Sequence, residues 1–494
     1  MDSICDTLDV EFANEISLLL EPLPSSQIRE YFDDLLTTRQ CGGLSVKHDD
    51  ERGKGVYAIN VFKEGQLILK DQMLVGAQHS SNKMDCLVCS FCFCFIGSIE
   101  LQIGRKLYFQ GLGISSNGKC HSDATDMEDD SYTVSDINLG ECSTNNLKNT
   151  TPLPKEIVES LINGKLELPA SGRFSLPPVV SCPGGCGETY YCSKSCADMD
   201  WKSSHSLLCT GEGSMSLCKE AVSEFIEHAN DTNDIFLLAA KVISFTILRY
   251  KKLKAAHLKE EKNSAPHGLA DISFSLLLEA WKPISVGYKR RWWECIALPA
   301  DVDRCDEVGF RMQIKEMAST SLQLLKAAIF DKEYAPLFSL DIYGHIIGMF
   351  ELNNLDLVVA SPVEDYFLYI DDLPHPQKKE AEAITKPILD AIGDDYSIGC
   401  QGTAFFPLQS CMNHSCCPNA KAFKREEDTD GQATIIALQP IQVGEEVTIS
   451  YIDEELTYEE RQMMLADYGF RCKCLKCLEE GHQSNTNLVT APTT

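Results

Sequence analysis

The sequence predicts an α+β protein in which β-rich segments near both ends of the chain enclose a cysteine-rich region and a helical region. Three observations support this fold class. Short runs of β-branched and apolar residues, separated by glycine-containing turns, occur over residues 44–75 and again over 433–453. Residues 213–345 instead carry apolar residues at helical spacing. Closely spaced pairs of cysteine and histidine ligands occur over residues 86–209, and three closely spaced cysteines occur over 472–477, as is typical of zinc-binding modules.

Composition and charge narrow the class of protein. The chain has 494 residues with 44% hydrophobic content, which is enough for at least one large core. It begins without a signal peptide and has no run of the roughly 18 apolar residues that a membrane span needs, so we expect a soluble intracellular protein. In a reducing compartment, 23 cysteines indicate metal ligands rather than disulfides. The net charge of −29 disfavours nucleic acid and favours a basic protein partner, although acidity can also serve solubility alone.

Local patterns predict the order of the elements along the chain. Residues 10–38 predict two short amphipathic helices on either side of a break at Pro22 and Pro24. The β-rich runs that follow predict a small antiparallel sheet. A polar and acidic stretch at about 112–150 predicts a disordered insertion within the cysteine-rich region. After the helical region, the patterns predict two strands and a helix, at residues 433–441, 445–453 and 457–469.

The first cysteine-rich region supplies eight soft ligands in four close pairs, which suits two tetrahedral zinc sites. Short spacing lets one turn present two ligands to a metal, and the metal bonds then take the place of a hydrophobic core. The candidate ligands are Cys86, Cys89, Cys182, Cys186, Cys192, Cys196, His205 and Cys209. Cys92 and Cys94 are alternative ligands, but their FCFCF context favours a buried apolar strand.

The last cysteine cluster contains Cys472, Cys474 and Cys477 and lacks a fourth ligand nearby. A distant cysteine must complete a tetrahedral zinc site, and Cys416 and Cys417 are both candidates. The metal would then tie the end of the chain to a loop far upstream. A redox-active cysteine motif is disfavoured because no βαβ pattern surrounds these cysteines.

Three separated segments resemble the SET domain: RGKGVYA at 52–58, NHSCCPNA at 413–420 and GEEVTISYID at 444–453. The four ligand pairs between the first two segments resemble the MYND zinc finger, although a long insertion precedes Cys182 and an extra residue separates it from Cys186. With the terminal cysteine cluster, these motifs resemble the SET-and-MYND lysine methyltransferase family. The likeness is greatest to the branch without a C-terminal helical-repeat domain, which includes the plant trithorax-related histone-lysine methyltransferases.

The resemblance implies how the ligands are shared among about three zinc ions. One ion would be held by Cys86, Cys89, Cys192 and Cys196, and a second by Cys182, Cys186, His205 and Cys209. The third would be held by the terminal cluster with Cys416 as its fourth ligand.

The resemblance also implies a division of the chain into domains, with a pseudo-knot in the SET fold. The predicted order is N-terminal helices (1–43), first SET part (44–85), MYND-like double-zinc module (86–209), helical insert (210–345), SET core (346–453), post-SET zinc segment (454–477) and disordered tail (478–494).

The same resemblance implies the site residues. The expected contacts of S-adenosyl-L-methionine are Arg52, Gly53, Lys54, Gly55, Asn353, Asn413, His414, Tyr451 and Phe470. Asn353 is chosen by its spacing from Gly348, and the adjacent Asn354 is an alternative. Tyr451 would orient the lysine amine as the first catalytic residue, and Tyr468 would line the lysine channel as the second. Without the flanking motifs, plain core packing would be the default interpretation of these aromatic residues.

The implied function is methyl transfer to a lysine of a basic protein, foremost the tail of histone H3, with a role in chromatin and transcription. The expected location is the nucleus, with the cytoplasm as a second location. The MYND-like module would bind a proline-rich peptide, and transcription factors would recruit the enzyme. No direct contact with nucleic acid or a membrane is expected. The alternatives are a methyltransferase of a non-histone protein and a non-enzymatic scaffold. The scaffold is disfavoured because Tyr451 and the NHS segment are both retained.

Overall fold

The chain folds into a mixture of helices and short strands, as the predicted α+β class requires. The computed structural model describes residues 5–49, 53–113, 153–261, 269–287, 290–299, 302–303 and 305–481. The α-helices are α1 (Cys5–Glu11), α2 (Ala13–Leu20), α3 (Ser25–Thr38), α4 (Asn82–Asp85), α5 (Ile99–Gly111), α6 (Lys155–Ile162), α7 (Lys194–Asp200), α8 (Ser206–Leu208), α9 (Lys219–Asp231), α10 (Ile235–Glu261), α11 (Leu269–Ser285), α12 (Trp292–Cys295), α13 (Glu307–Ile329), α14 (Leu340–Asn353), α15 (Pro362–Asp371), α16 (His375–Ile392) and α17 (Tyr458–Asp467). The strands are β1 (Leu44–Asp49), β2 (Gly53–Ala58), β3 (Leu67–Asp71), β4 (Val75–Gln78), β5 (Val180–Ser181), β6 (Tyr190–Tyr191), β7 (Asn354–Val359), β8 (Cys400–Phe405), β9 (Asn413–His414), β10 (Ala420–Ala422), β11 (Ala433–Ala437) and β12 (Glu446–Ile449).

One sheet joins the two β-rich ends of the chain. Its strand order is β1-β2-β12-β9, so segments that are distant in the sequence become direct neighbours. β2 pairs antiparallel with β12, with Val56 opposite Val447, whereas β9 pairs in parallel with β12, with His414 opposite Ile449. Two further sheets have the orders β10-β11-β3 and β4-β8-β7, and both again combine early with late strands. The strands predicted at both ends are therefore confirmed, and their distant pairing forms the platform for the site.

The largest hydrophobic core lies in the predicted helical region. Its helices bury large side chains such as Trp281, Leu322 and Tyr343, none of them more than 1% exposed. Val75 of β4 and Phe405 of β8 belong to the same core. The helical region is therefore packed directly against the β4-β8-β7 sheet, and the apolar surface buried between them holds the two parts together.

The N-terminal segment contains three helices where two were predicted, and the predicted break at Pro22 and Pro24 is confirmed. Leu19 of α2 lies in the helical core, and its carbonyl accepts a hydrogen bond from Trp281 Nε1 at 2.8 Å. Phe32 of α3 is fully buried in the core beneath β1 and β2. These helices thus contact both the helical region and the sheet that carries the site.

Two insertions that lie far apart in the sequence pack against each other. α5 and α6 interrupt the cysteine-rich region, and α15 and α16 interrupt the connection from β7 to β8. Ile103, Leu161, Tyr366 and Ile388, one from each helix, share one hydrophobic core. The sequence patterns did not predict α15 and α16. All but the first two residues of the predicted disordered insertion at 112–150 lie outside the described residues.

The far end of the described chain is helical. α17 coincides with the helix predicted at 457–469, and its Thr457 and Glu460 form a reciprocal capping box. Residues 475–481 are also helical, so the predicted disordered tail begins within a helix, and its remainder lies outside the described residues. Among the helices of the described ranges, none is long and apolar enough to span a membrane.

Candidate active site and zinc clusters

Side chains from three separate segments form one aromatic group beside β9 and β12. His414 lies in β9, Tyr451 follows β12, and Tyr468 and Phe470 follow α17. The Tyr451 ring centroid lies 5.4 Å from that of His414, 5.3 Å from Tyr468 and 6.4 Å from Phe470. Phe470 is 36% exposed, so one side of the group remains accessible to a ligand. The structure therefore brings together aromatic residues that the sequence predicts for the lysine channel, Tyr451 and Tyr468, and for cofactor contact, His414 and Phe470.

Hydrogen bonds among β2, β9, β12 and the segment that follows β9 set the position of this aromatic group. The Asn413 side-chain amide donates to Glu446 Oε1 at 2.7 Å and to the Lys54 carbonyl at 3.0 Å. Asn419 Oδ1 accepts the Thr448 backbone N–H at 2.8 Å. All three SET-like segments are thus connected to one another, which is the juxtaposition that the predicted pseudo-knot requires.

The Tyr451 hydroxyl donates to the Met412 carbonyl at 2.6 Å. Because this bond uses the hydroxyl proton, the lone pairs of the oxygen remain as acceptors. Burial raises the pKa of Tyr451 above its ordinary value, and nearby Tyr468 adds to the rise. The phenol therefore stays protonated at neutral pH, which suits an orienting group and does not suit a general base.

A four-thiol cluster lies next to the aromatic group. It consists of Cys416, Cys472, Cys474 and Cys477, whose Sγ atoms all lie within 4.8 Å of one another. Four cysteines at this separation match the donor set and size of a tetrahedral structural zinc site. Cys417 is exposed and lies outside the cluster, so the structure selects Cys416 from the two candidates.

A buried arginine that the sequence patterns did not single out supports this cluster. Arg461 of α17 is 1% exposed, and its guanidinium donates to Cys477 Sγ at 3.8 Å and to Glu480 at 2.6 Å. Four thiolates around one Zn²⁺ carry excess negative charge, which a buried cation offsets. The sequence did not predict this role of Arg461, because its approach to the cluster depends on how α17 packs. Only the cysteine ligands form a recognisable motif.

His414 connects the cluster to the aromatic group. Its Nε2 lies 3.2 Å from Cys416 Sγ, and its Nδ1 accepts the Tyr451 backbone N–H at 3.1 Å. Burial lowers the pKa of His414 to about 4, with a further contribution from the positive charge of Arg461. The ring is therefore neutral at pH 7. Any contact of Asn413 or His414 with S-adenosylmethionine stays a prediction.

The first SET-like segment is described from its first glycine onward, so Arg52 lies outside the described residues. Gly53 opens β2 with a φ of 72°, in the left-handed region that favours glycine. Lys54 donates from Nζ to the carbonyl of Val286, just beyond α11. This contact joins the segment to the end of a helix in the helical region, and the proposed contact of Lys54 with the methyl donor stays a prediction.

Gly55 has a packing role that the sequence did not predict. A Cβ at this position would lie 2.7 Å from Glu446 Oε1 and 3.3 Å from Asn413 Nδ2. A side chain would therefore disturb the hydrogen bond that holds Asn413. The glycine lets β2 approach this bond closely, whether or not it also faces the methyl donor.

The remaining candidate cofactor contact lies at the junction of α14 and β7. Asn353 is the last residue of α14, and its Nδ2 donates to the Met349 carbonyl at 3.1 Å. Asn354 begins β7. The choice between the two asparagines stays a prediction.

A buried ion pair, also missed at the sequence level, holds the turn in front of Asn413. The fully buried carboxylate of Asp71 accepts the backbone N–H groups of Leu408 and Gln409, at 2.8 and 2.9 Å. Arg39, which follows α3, forms an ion pair with the same carboxylate. The turn leads to the Met412 carbonyl, which accepts the hydrogen bond from the Tyr451 hydroxyl. The one available signal was an aspartate at the end of a strand that begins with three apolar residues.

The first MYND-like cluster requires a correction. Its members are Cys89, Cys92, Cys192 and Cys196, whose Sγ atoms lie within 4.8 Å of one another, so Cys92 takes the place predicted for Cys86. Cys94, the other alternative ligand, lies outside this group of four but its Sγ is within 3.5 Å of Cys92 Sγ.

Cys86 is unsuited to bind a metal in its position. Its thiol donates to the carbonyls of Ile398 and Gly399, at 3.4 and 3.2 Å, beside the start of β8. Burial raises the pKa of Cys86 to about 12, whereas a zinc ligand must be a thiolate. Cys86 is therefore a core residue, the role that the sequence favoured for Cys92 and Cys94.

The second MYND-like cluster contains the four predicted residues. Cys182, Cys186, His205 and Cys209 have their ligand atoms within 4.8 Å of one another. Cys182 Sγ lies 3.1 Å from His205 Nε2 and 3.7 Å from Cys209 Sγ. The extra residue between Cys182 and Cys186 therefore does not prevent the two from converging. Three cysteines and one histidine fit a tetrahedral zinc site.

Comparisons with known proteins agree with this geometry. The family model of the SET domain matches residues 258–452, and that of the MYND finger matches residues 176–209. The chain is 66% identical over 481 residues to the histone-lysine N-methyltransferase ATXR2 of Arabidopsis thaliana, which covers 97% of this chain and 99% of that protein. It is 29% identical over 183 residues to the protein-lysine N-trimethyltransferase SMYD5 of Mus musculus, covering 35% of this chain and 43% of that protein.

The fold and the site define a SET-domain methyltransferase that carries a MYND zinc finger. The likeness over nearly the full length narrows the class, and the chain belongs to the SET-and-MYND lysine methyltransferase family. It is accordingly a protein-lysine N-methyltransferase with S-adenosyl-L-methionine as methyl donor. The part of the chain that the structure describes contains three Cys/His clusters able to bind zinc.

Proposed function

We propose that this protein methylates lysine residues of histones, with the tail of histone H3 as its foremost substrate, and that it acts on chromatin in the nucleus. One observation carries the proposal. The aromatic group around Tyr451 lies beside a zinc-binding cluster, in a chain whose relative over nearly the full length is named a histone-lysine N-methyltransferase.

The chemistry of the reaction calls for positioning residues. The methyl donor supplies an electrophilic methyl group on a sulfonium, and the acceptor is a neutral lysine amine. A free lysine has a pKa near 10.4, so holding it unprotonated at pH 7 corresponds to about 4.6 kcal/mol. An apolar channel and a nearby positive charge both favour loss of that proton. Alignment can contribute on the order of 7 to 11 kcal/mol, so we assign the residues of this site to orientation rather than to acid–base catalysis.

Tyr451 and Tyr468 are the proposed catalytic residues. The Tyr451 hydroxyl donates its hydrogen bond to the Met412 carbonyl, so its oxygen can accept an N–H from the lysine amine and fix the direction of the amine lone pair. The Tyr468 ring, 5.3 Å away, provides a second wall of the channel. The zinc-binding cluster begins four residues later, at Cys472, and restricts the position of this wall.

The charges around the channel support a basic substrate. Burial raises the pKa of Tyr468, and the carboxylates of Glu351, Asp467 and Asp356 raise it further. The potential at this wall is therefore negative, which attracts a cationic peptide. The net charge of −29 acts in the same direction at longer range. A lysine-rich histone tail meets both conditions.

A non-histone protein is the second candidate substrate, because the relative in Mus musculus is named only as a protein-lysine N-trimethyltransferase. The MYND finger is a protein-interaction module. We assign it a proline-rich peptide as ligand and transcription factors as the partners that recruit the enzyme to chromatin.

The test is a methylation assay with the purified full-length protein, S-adenosylmethionine carrying a labelled methyl group, core histones, histone peptides and a cell extract. We expect label on histone H3, located by mass spectrometry. Tyr451→Phe should lower the rate by about 100-fold, because an oriented hydroxyl in the reacting centre is lost. Tyr108→Phe is the matched control, since Tyr108 lies on α5 and is 45% exposed.

Two outcomes would contradict the proposal at different levels. If calorimetry detects no binding of S-adenosylmethionine to the wild-type protein, the enzymatic role is wrong. If the extract yields a labelled non-histone protein while histones stay unlabelled, the second candidate replaces the first.

A further inference from the structure

His414 lies between the zinc-binding cluster and the wall of the lysine channel, with a protein partner at each ring nitrogen. Nε2 faces Cys416 Sγ at 3.2 Å, and Nδ1 faces the Tyr451 backbone nitrogen at 3.1 Å. The ring centroid also lies 5.4 Å from Tyr451 and 6.0 Å from Phe470. One imidazole therefore contacts a metal ligand and two residues of the aromatic group.

The position of the ring proton follows from these partners. A backbone N–H can only donate, so Nδ1 must be the acceptor and carries no proton. The imidazole then carries its proton on Nε2, where it points at Cys416 Sγ. A zinc-bound thiolate is a good acceptor for such a bond, and donors of this kind orient a ligand and tune its basicity.

The backbone explains why Tyr451 needs this partner. The parallel pairing of β9 with β12 ends at the pair of His414 and Ile449, and the Ser415 N–H continues it to the Ile449 carbonyl at 3.0 Å. Beyond this point β9 offers no further carbonyl to Tyr451 within the described pairing. The His414 ring supplies the acceptor instead. The Tyr451 backbone, and with it the direction of the side chain, is thus held by a side chain that is itself held at the cluster.

We propose that His414 is a positioning residue that links the Cys416 thiolate to the Tyr451 backbone through a fixed Nε2–H tautomer, and so sets the place of the Tyr451 hydroxyl for methyl transfer. The link deepens the lysine methyltransferase function and rests on it. In this proposal the His414 ring contacts only other residues of the protein, whereas the family resemblance predicted that His414 contacts the methyl donor.

Two substitutions separate the two ends of the link. In His414→Asn, the side-chain carbonyl can take the place of Nδ1 and accept the Tyr451 N–H, but the shorter side chain does not reach Cys416. In His414→Gln, the amide nitrogen can take the place of Nε2 and donate to Cys416, but no acceptor remains for Tyr451. His375→Gln is the matched control, because His375 begins α16 and is exposed.

Each full-length variant is assayed for kcat and KM of methyl transfer and, separately, for the rate at which a thiol-alkylating reagent releases zinc to a chromogenic chelator. Zinc content and thermal melting are measured first, to establish that each variant is folded. We expect His414→Gln to lower kcat by about tenfold with little change in KM and with wild-type zinc release. We expect His414→Asn to lower kcat by less than His414→Gln does, because it keeps an acceptor for the Tyr451 N–H, and to release one zinc ion per chain about tenfold faster, because the Cys416 thiolate loses its hydrogen bond.

The link is wrong if the two variants change kcat and zinc release in parallel, or if neither differs from the control. If a variant does not fold with its zinc, the tautomer is measured instead by NMR of the wild type labelled with ¹⁵N at histidine. We expect the His414 proton on Nε2. A proton on Nδ1 would overturn the proposal. A wild type that methylates no substrate would contradict the proposed function. Equal zinc release from His414→Asn and wild type would contradict the link alone.

Discussion

The two cysteine-rich regions of this protein use the same ligand chemistry for different purposes. The MYND-like clusters lie among very short elements, such as the two-residue strands β5 and β6, where zinc ligands such as Cys89 and Cys209 belong to the local core. The post-SET cluster joins Cys416 to a segment after α17, and its neighbours are Tyr451 and Tyr468. Metal bonds would therefore stabilise a module in the first region and hold the aromatic group of Tyr451 and Tyr468 in the second.

The largest effect on activity is expected from the post-SET cluster. Cys474→Ser should remove one of three zinc ions and lower the rate of methyl transfer by about 100-fold, because small displacements of orienting groups are costly. Metal content is measured by atomic emission and the rate with the labelled methyl donor. If the variant kept two zinc ions and full activity, the post-SET cluster would not be needed to position the aromatic group, and the proposed difference between the two regions would be wrong.

A smaller effect on activity is expected at the first MYND-like cluster. Cys92→Ser should also lower the zinc content from three to two, whereas Cys86→Ser should keep all three ions, because only Cys92 lies among the ligands. The loss of activity for Cys92→Ser should be about tenfold at most, since the perturbation lies outside the aromatic group. If Cys86→Ser lost a zinc ion and Cys92→Ser kept all three, Cys86 would be the ligand, as the sequence predicted.

The smallest effect on activity is expected at the second MYND-like cluster. Cys186→Ser should remove one zinc ion and leave methyl transfer on an isolated histone peptide within about twofold of wild type, because sites without shared partners act nearly independently. Binding of a proline-rich peptide to the finger, measured by calorimetry, should be lost in the same variant. A strong loss of peptide methylation would show that the finger supports the active site directly.

The correction at Cys86 shows what spacing alone can and cannot decide. Cys86, Cys89 and Cys92 are equally spaced, so either neighbour forms the same short pair with Cys89. The choice depends on which thiol is buried against distant backbone carbonyls, and those carbonyls belong to Ile398 and Gly399. No local pattern contains that information. The choice between Cys416 and Cys417 was of the same kind, and there the family motif pointed to the residue that the structure selects.

The site residues that were predicted lie in short sequence motifs, whereas the residues that were missed do not. Tyr451, Tyr468 and Phe470 lie in recognisable motifs, and the structure gathers them into one group. Arg461 and Asp71 were missed because each is one charged residue in an ordinary helix or strand. Their importance arises from burial against groups that the chain supplies from elsewhere.

The sequence by itself determined the α+β class, the short strands at both ends, the helical region between them and nearly all of the metal ligands. These features follow from hydrophobic periodicity and from short ligand spacing, which are properties of neighbouring residues. Only the tertiary structure decided that Cys92 replaces Cys86, that α5 and α6 pack on α15 and α16, and that His414 joins a metal ligand to Tyr451. Those outcomes depend on which distant surfaces are buried together, and burial between distant segments leaves no periodic trace in the chain.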